Sequence, residues 1–300
     1  LGCGLRGQDE PKEFTKLIHK AIDSGINFID CANVYGLSDN RERAGTSETL
    51  LGQAIKGKRD DLVITSKVSS PIGTRNGPND QGTSRFHILR EVEKSLKRLD
   101  TDHIDVYLLH QFHASTPYDE SLRALEILIQ QGKIRYVGAC NYQAWQVVQS
   151  LRIQDTLNAA PLITIQNPYS LLNRGLEREM FPMLRETGIG MMAYSPLAAG
   201  LLTRTASAAV VARTKTNTDL NNLIEKTRKP LLKISSETGY TIAQIAMAWI
   251  LSKPEVSAVI TGSDTQEQVE ENVVSLKVEI PAEDLEELDK ISKNAEGVFD

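Results

Sequence analysis

Cysteine is nearly absent from this 300-residue chain: Cys3, Cys31 and Cys140 occur far apart, odd in number, with no CxxC pair. That argues against a disulfide framework or a zinc site, and a reducing compartment, the cytoplasm, is expected. No apolar run approaches the roughly 20 residues that span a bilayer, so no membrane partner is expected, and no signal-peptide pattern opens the sequence. Basic residues are not in excess: 34 Lys and Arg stand against 39 Asp and Glu, a net charge of -5. A sequence-blind nucleic-acid binder normally carries a basic excess, so nucleic acid is not expected as a partner either. Linkers, low-complexity segments and short repeats are lacking.

What is present is alternation. Residues 11–24 place Phe14, Leu17, Ile18, Ala21 and Ile22 on one helical face before Gly25. Strands are predicted at 26–30, 62–67, 104–109, 134–140, 162–166, 190–194 and 256–261, with a first one near Leu1–Leu5. Between them the helical period returns: after Ser47, placed as an N-cap; after Ser84, with Ile88, Leu89, Val92, Leu96 and Leu99 on one face; and at about 122–129, 143–151 and 176–186. A longer polar insertion, about 200–255, carries helices near 220–235 and 241–252, and two more near 265–274 and 282–292 close the chain. About eight βα units without a linker predict one domain over residues 1–300, of α/β class: a (β/α)8 TIM barrel.

In such a barrel the active site gathers at the C-terminal ends of the strands. Six consecutive predicted strands end on, or just before, a polar residue: Asp30, Lys67, His110, Asn141, Gln166 and Tyr194. Taken singly each has an ordinary explanation, such as a turn-starting aspartate or a solvated lysine. Independent capping roles would not select strand ends so regularly. Asp30, Lys67, His110 and Tyr35, in the loop after Asp30, suit carbonyl reduction, which needs a proton donor for a developing alkoxide in a water-poor pocket. Tyrosine has a reference pKa of about 10, and the Lys67 ammonium would lower it. Asp30 would keep Lys67 charged and in place, and His110 would bond the carbonyl oxygen. No metal is required.

The segment Gly25–Gly36 (GINFIDCANVYG) resembles the aldo-keto reductase signature. ITSKV (64–68), IDVYLLH (104–110), GKIRYVGACN (132–141), IQNPYSLL (165–172), AYSPLAAGLL (193–202) and GSDTQEQVEEN (262–272) are similar to later blocks of that family in order and spacing. The flavour is that of the bacterial subgroup resembling potassium-channel β subunits. The resemblance implies a nicotinamide cofactor bound without a Rossmann domain, and a catalytic group of Asp30, Tyr35, Lys67 and His110. It implies cofactor contacts from Asp30, Cys140, Asn141 and Gln166, the last two at the carboxamide. Tyr194 would stack on the nicotinamide. Ser195, Leu197, Gly200 and Leu201 would line the pyrophosphate, and Gly262, Ser263, Asp264, Gln268, Glu271 and Asn272 the adenosine end.

Several residues depart from the family pattern. Cys140 stands where serine is usual, and Cys31 where threonine is common. The block 262–272 holds no cation for the 2′-phosphate of NADP, and Asp264 would repel one; Arg204 or Arg213 would have to supply the charge. The family's habit favours NADP(H), with NAD(H) the alternative. Substrate contacts are expected from Tyr35 and His110, with Arg6 and His113 as further candidates. The substrate would be a small carbonyl or alcohol, a sugar, a keto-sugar or a small aldehyde. The oligomeric state is not readable. Two other readings are a cofactor-binding regulatory subunit with little turnover and a Schiff-base lyase using Lys67.

Overall fold

The computed structural model describes residues 1–4, 10–36, 44–73, 77, 79–293 and 295. Its first half runs α1 (Pro11–Asp23), β1 (Phe28–Asp30), α2 (Thr46–Ala54), β2 (Val63–Val68), α3 (Arg85–Leu99), β3 (Ile104–Leu109), α4 (Tyr118–Gln130), β4 (Ile134–Cys140) and α5 (Ala144–Leu157). It continues with β5 (Leu162–Pro168), α6 (Met180–Thr187), β6 (Gly190–Tyr194), α7 (Ala208–Thr214), α8 (Thr218–Thr238), α9 (Ile242–Leu251), β7 (Val256–Ile260), α10 (Gln266–Val274) and α11 (Ala282–Ser292). The seven strands follow one another in chain order in one sheet. The expected first strand is reduced to parallel bridges from Gly2 to Asp30 and to Gly262. Strand order and alternating helices are those of a (β/α)8 barrel, so the α/β class holds.

The chain forms two compact units: Leu1–Gln166 with Gly262–Val269, and Asn167–Thr261 with Glu270–Asp300. In the first, β1 to β5 pair in parallel register. Each of α1, α3 and α4 buries one apolar stripe, as their periodicity predicts. Ile18, Ile64, Ile88 and Leu108 are fully buried, and such side chains each contribute about 1.5–3 kcal/mol. Gly138 is required by packing: a Cβ there would lie 2.5 Å from Leu108 Cδ2 and 2.7 Å from the Thr164 carbonyl. Position 47 differs from expectation. Helix α2 starts at Thr46, and the Ser47 hydroxyl donates instead to the Cys3 carbonyl at 2.6 Å.

In the second unit the polar insertion forms three helices rather than two. The unforeseen α7 is capped by Ser207, whose hydroxyl accepts from Val210 N. Asn217 caps α8, and a Thr241–Gln244 capping box starts α9. Arg174 ties α11 down: its guanidinium donates to the Asp289 carbonyl (2.7 Å) and Ser292 Oγ (2.8 Å), and lies 5.2 Å from the Trp249 ring centre. No helix among the described residues is long and apolar enough to cross a membrane.

Candidate active site

Parallel strands bring their C-terminal ends level, and in the first unit Asp30, Lys67, His110, Cys140 and Gln166 stand at the ends of β1 to β5. Lys67 is fully buried. Its Nζ donates to Asp30 Oδ2 (2.7 Å), the Cys31 carbonyl (2.7 Å) and Tyr35 Oη (3.2 Å), so all three ammonium protons have acceptors. The other carboxylate oxygen of Asp30 accepts from Thr65 Oγ1 (2.5 Å) and Gln166 Nε2 (2.8 Å). Lys67 Nζ lies 4.6 Å from the centre of the Tyr35 ring. The Tyr35 ring meets His110 edge-on, centres 5.7 Å apart.

The electrostatics assign protonation states. Burial opposes the Lys67 charge, but the Asp30 carboxylate that accepts its hydrogen bond outweighs it and raises its pKa. Burial pushes the Tyr35 hydroxyl up to about 12, although Lys67 pulls it down. The expected lowering is therefore present as a contribution but not as the net effect, because a buried phenolate is poorly solvated. Tyr35 is thus a protonated acid at neutral pH. Burial, then the Lys67 charge, lowers His110 to about 3, so its imidazole is neutral, with one donor and one acceptor nitrogen. Among the described residues its Nδ1 is buried without a hydrogen-bond partner. The Asn33 carboxamide, fully buried in the loop between Asp30 and Tyr35, likewise has no partner for either polar atom.

The remaining expected residues divide. The Cys140 thiol faces Gln166 Oε1 at 3.8 Å. Asn141, in a left-handed conformation (φ 58°), donates from Nδ2 to the His110 carbonyl at 3.1 Å. His113 packs against Gly82, and its Nε2 has no partner among the described residues. In the second unit, the segment after Tyr194 turns through left-handed backbone at Ser195, Ala198, Ala199, Gly200 and Arg204. A Cβ at Gly200 would meet Ala206 N at 2.8 Å. The N–H groups of Ala198, Gly200, Leu201, Leu202, Arg204 and Thr205 donate to carbonyls within these turns. Leu197 and Leu201 belong to the same turns through Leu202 N to Leu197 O and Leu201 N to Ala198 O. Arg204 is ion-paired with Glu225 at 3.0 Å.

Ser263 is buried and Gly262 carries the bridge to Gly2. Asp264 N donates to Gln268 Oε1 at 2.7 Å. Glu271 accepts from Thr241 Oγ1, and the Asn272 carbonyl from Ser275 Oγ. Arg6 lies outside the described residues, as does the Arg213 side chain. Thr65 is not among the expected residues; the sequence places its hydroxyl two residues before the lysine, on the same face of the strand, but not its burial or its partner.

The chain matches the aldo/keto reductase family model over residues 3–293, and it belongs to that family. It is 38% identical to an uncharacterized oxidoreductase, YrpG, of Bacillus subtilis (strain 168), over 94% of this chain and 87% of that protein. It is 35% identical to a probable voltage-gated potassium channel subunit beta of Oryza sativa subsp. japonica, covering 95% and 88%. A versiconal hemiacetal acetate reductase of Aspergillus parasiticus is 30% identical, covering 97% and 92%. Carbonyl–alcohol oxidoreduction with a nicotinamide cofactor is the chemistry the family fits.

Proposed function

We propose that the protein interconverts a small carbonyl compound and its alcohol using NADP(H), with Tyr35 as general acid and base. The observation that carries this reading is the Tyr35 hydroxyl, protonated, 3.2 Å from a buried ammonium and beside a neutral imidazole. In the reducing direction His110 donates a hydrogen bond to the carbonyl oxygen without surrendering its proton. Tyr35 then gives its proton to the developing alkoxide, and Lys67 stabilises the phenolate left behind. Asp30 holds Lys67 in place. The bound nicotinamide supplies the hydride.

Support for that cofactor comes from Asn141 and Gln166, and from the family resemblance for Asp30, Cys140, Tyr194, Ser195, Leu197, Gly200, Leu201, Gly262, Ser263, Asp264, Gln268, Glu271 and Asn272. Gln166 commits one amide hydrogen to Asp30 and its oxygen faces the Cys140 thiol, leaving its other hydrogen and the second lone pair of that oxygen for a carboxamide. NADP(H) is preferred over NAD(H) because Arg204 sits in an exposed ion pair of little worth, from which a phosphate could recruit it. Arg6 and His113 are proposed as substrate contacts, a sugar or small aldehyde as substrate, and the cytoplasm as its setting.

Tyr35→Phe tests the reading. Turnover should fall by about 10²–10⁴-fold, while NADPH affinity, read by nicotinamide fluorescence, stays within about twofold. Equal loss of both would make Tyr35 structural, and failure of NADPH and NADH alike to bind would sink the proposal. A second reading, a regulatory subunit with slow turnover, is favoured by the relatives named as channel β subunits; it requires tight cofactor binding with little carbonyl reduction. The lyase alternative needs a neutral Lys67, which the raised pKa disfavours.

A further inference from the structure

Thr65 lies directly opposite Asp30 in the β1–β2 register and two residues before Lys67, so both β2 side chains share one face. It is fully buried. Valine would match its shape and its strand preference, so only a hydrogen bond justifies the hydroxyl there. That bond runs from Oγ1 to Asp30 Oδ1 at 2.5 Å, while Oδ2 faces Lys67 at 2.7 Å. The intervening Ser66 points to the other face and bonds the buried Glu48. The two hydroxyls beside the lysine therefore serve different networks, and only Thr65 touches the catalytic group.

We propose that Thr65 is a positioning residue: its hydroxyl fixes the rotation of the Asp30 carboxylate, so that Oδ2 stays on Lys67 and Lys67 stays on Tyr35. A carboxylate with one oxygen released turns about its Cβ–Cγ bond. Gln166 alone holds Oδ1 from a long, flexible side chain, whereas Thr65 has a single rotatable bond and a β-branched, stiff χ1. Lys67 then loses the contact that keeps its ammonium in line with the Tyr35 oxygen. The inference rests on the reductase reading for its catalytic consequence, but not for its geometry.

The experiment compares Thr65→Val with Thr65→Ser in the full chain. Thr65→Val should lower kcat about tenfold, the effect of losing a hydrogen bond to a charged group, and leave KM for NADPH within about twofold. The alkaline limb of kcat, set by loss of the Tyr35 proton, should move to higher pH, because a displaced Lys67 no longer favours the phenolate. Thr65→Ser should restore each property. An independent readout is the ¹H–¹⁵N signal of the Lys67 ammonium, identified by its loss in Lys67→Met. Held by three acceptors it exchanges slowly with water; Thr65→Val should broaden it at neutral pH and Thr65→Ser recover it. Unchanged ammonium signal in Thr65→Val, or equal behaviour of the two variants, overturns the inference. A responsive ammonium signal in a wild-type protein that reduces no carbonyl would instead overturn the reductase reading and leave the positioning role standing.

Discussion

Each compact unit carries a cation in its interior, Lys67 in one and Arg174 in the other, and they differ in what surrounds them. Arg174 is saturated. It grips Glu177 through Nε (2.6 Å) and Nη2 (2.7 Å), reaches Asp289 and Ser292 through Nη1, and lies over Trp249. Lys67 is saturated too, but its neighbours are not: His110 Nδ1 and both polar atoms of Asn33 are buried without partners among the described residues. Buried charge is tolerated wherever hydrogen bonds are complete. What marks a place for chemistry is the incomplete polar inventory next to a complete one, because leaving such groups unpaired costs stability that a ligand can return.

The comparison can be broken by removing each cation. Lys67→Met should have the largest effect. Turnover should fall by at least about 10²–10⁴-fold, and stability by about 3–5 kcal/mol because Asp30 keeps a buried charge without its partner. Steady-state rates and urea unfolding measure the two losses. Arg174→Met should cost less, about 1–3 kcal/mol, because Glu177 and Asp289 are partly exposed to water, and should leave kcat of the folded fraction within about twofold. A matching collapse of kcat would show that the second cation is not purely structural.

The histidines sharpen the same contrast through pH. Burial lowers the pKa of His110 to about 3 and that of His87 below its usual value. A histidine depressed in the folded state binds its proton more readily when unfolded. Stability should therefore be full above the unfolded value of about 6.5 and be lost as pH falls through that value, towards 3 for His110. Urea midpoints between neutral and acid pH should show it, and His110→Gln and His87→Gln should each flatten the slope; an unchanged slope in both would refute the assignment. Least affected should be Arg204→Ala. Its pair with Glu225 is about two-thirds exposed on each side, so stability should move by less than about 0.5 kcal/mol, and any loss of NADPH affinity then reports a phosphate contact alone.

Much of this was legible in the sequence for a physical reason. Strands buried on both faces read as short apolar runs, and β3, β4 and β6 begin and end where those runs do. Polar residues ending the runs are conspicuous, which is why Asp30, Lys67 and His110 stood out. Strand β1 is shorter than its apolar run because Ile26 N is engaged by the Ala21 carbonyl at the end of α1. Helix α6 starts late because Gly175–Glu177 forms a separate turn around the Arg174–Glu177 pair. Thr65 was hidden because threonine is also an ordinary strand former, and its burial and partner belong to tertiary structure. The neutrality of His110 and the upward push on Tyr35 were hidden for the same reason, since spacing carries no information about solvation.

One contact of Lys67 is of a different kind from the rest. The Cys31 carbonyl that accepts from Nζ belongs to the main chain, so it is supplied by every amino acid that could be encoded there. The thiol itself is engaged with Ser47 Oγ at 3.0 Å. Exchanging the Cys31 side chain therefore leaves the lysine its acceptor. The Lys67 cluster is anchored at that point to something that substitution cannot remove.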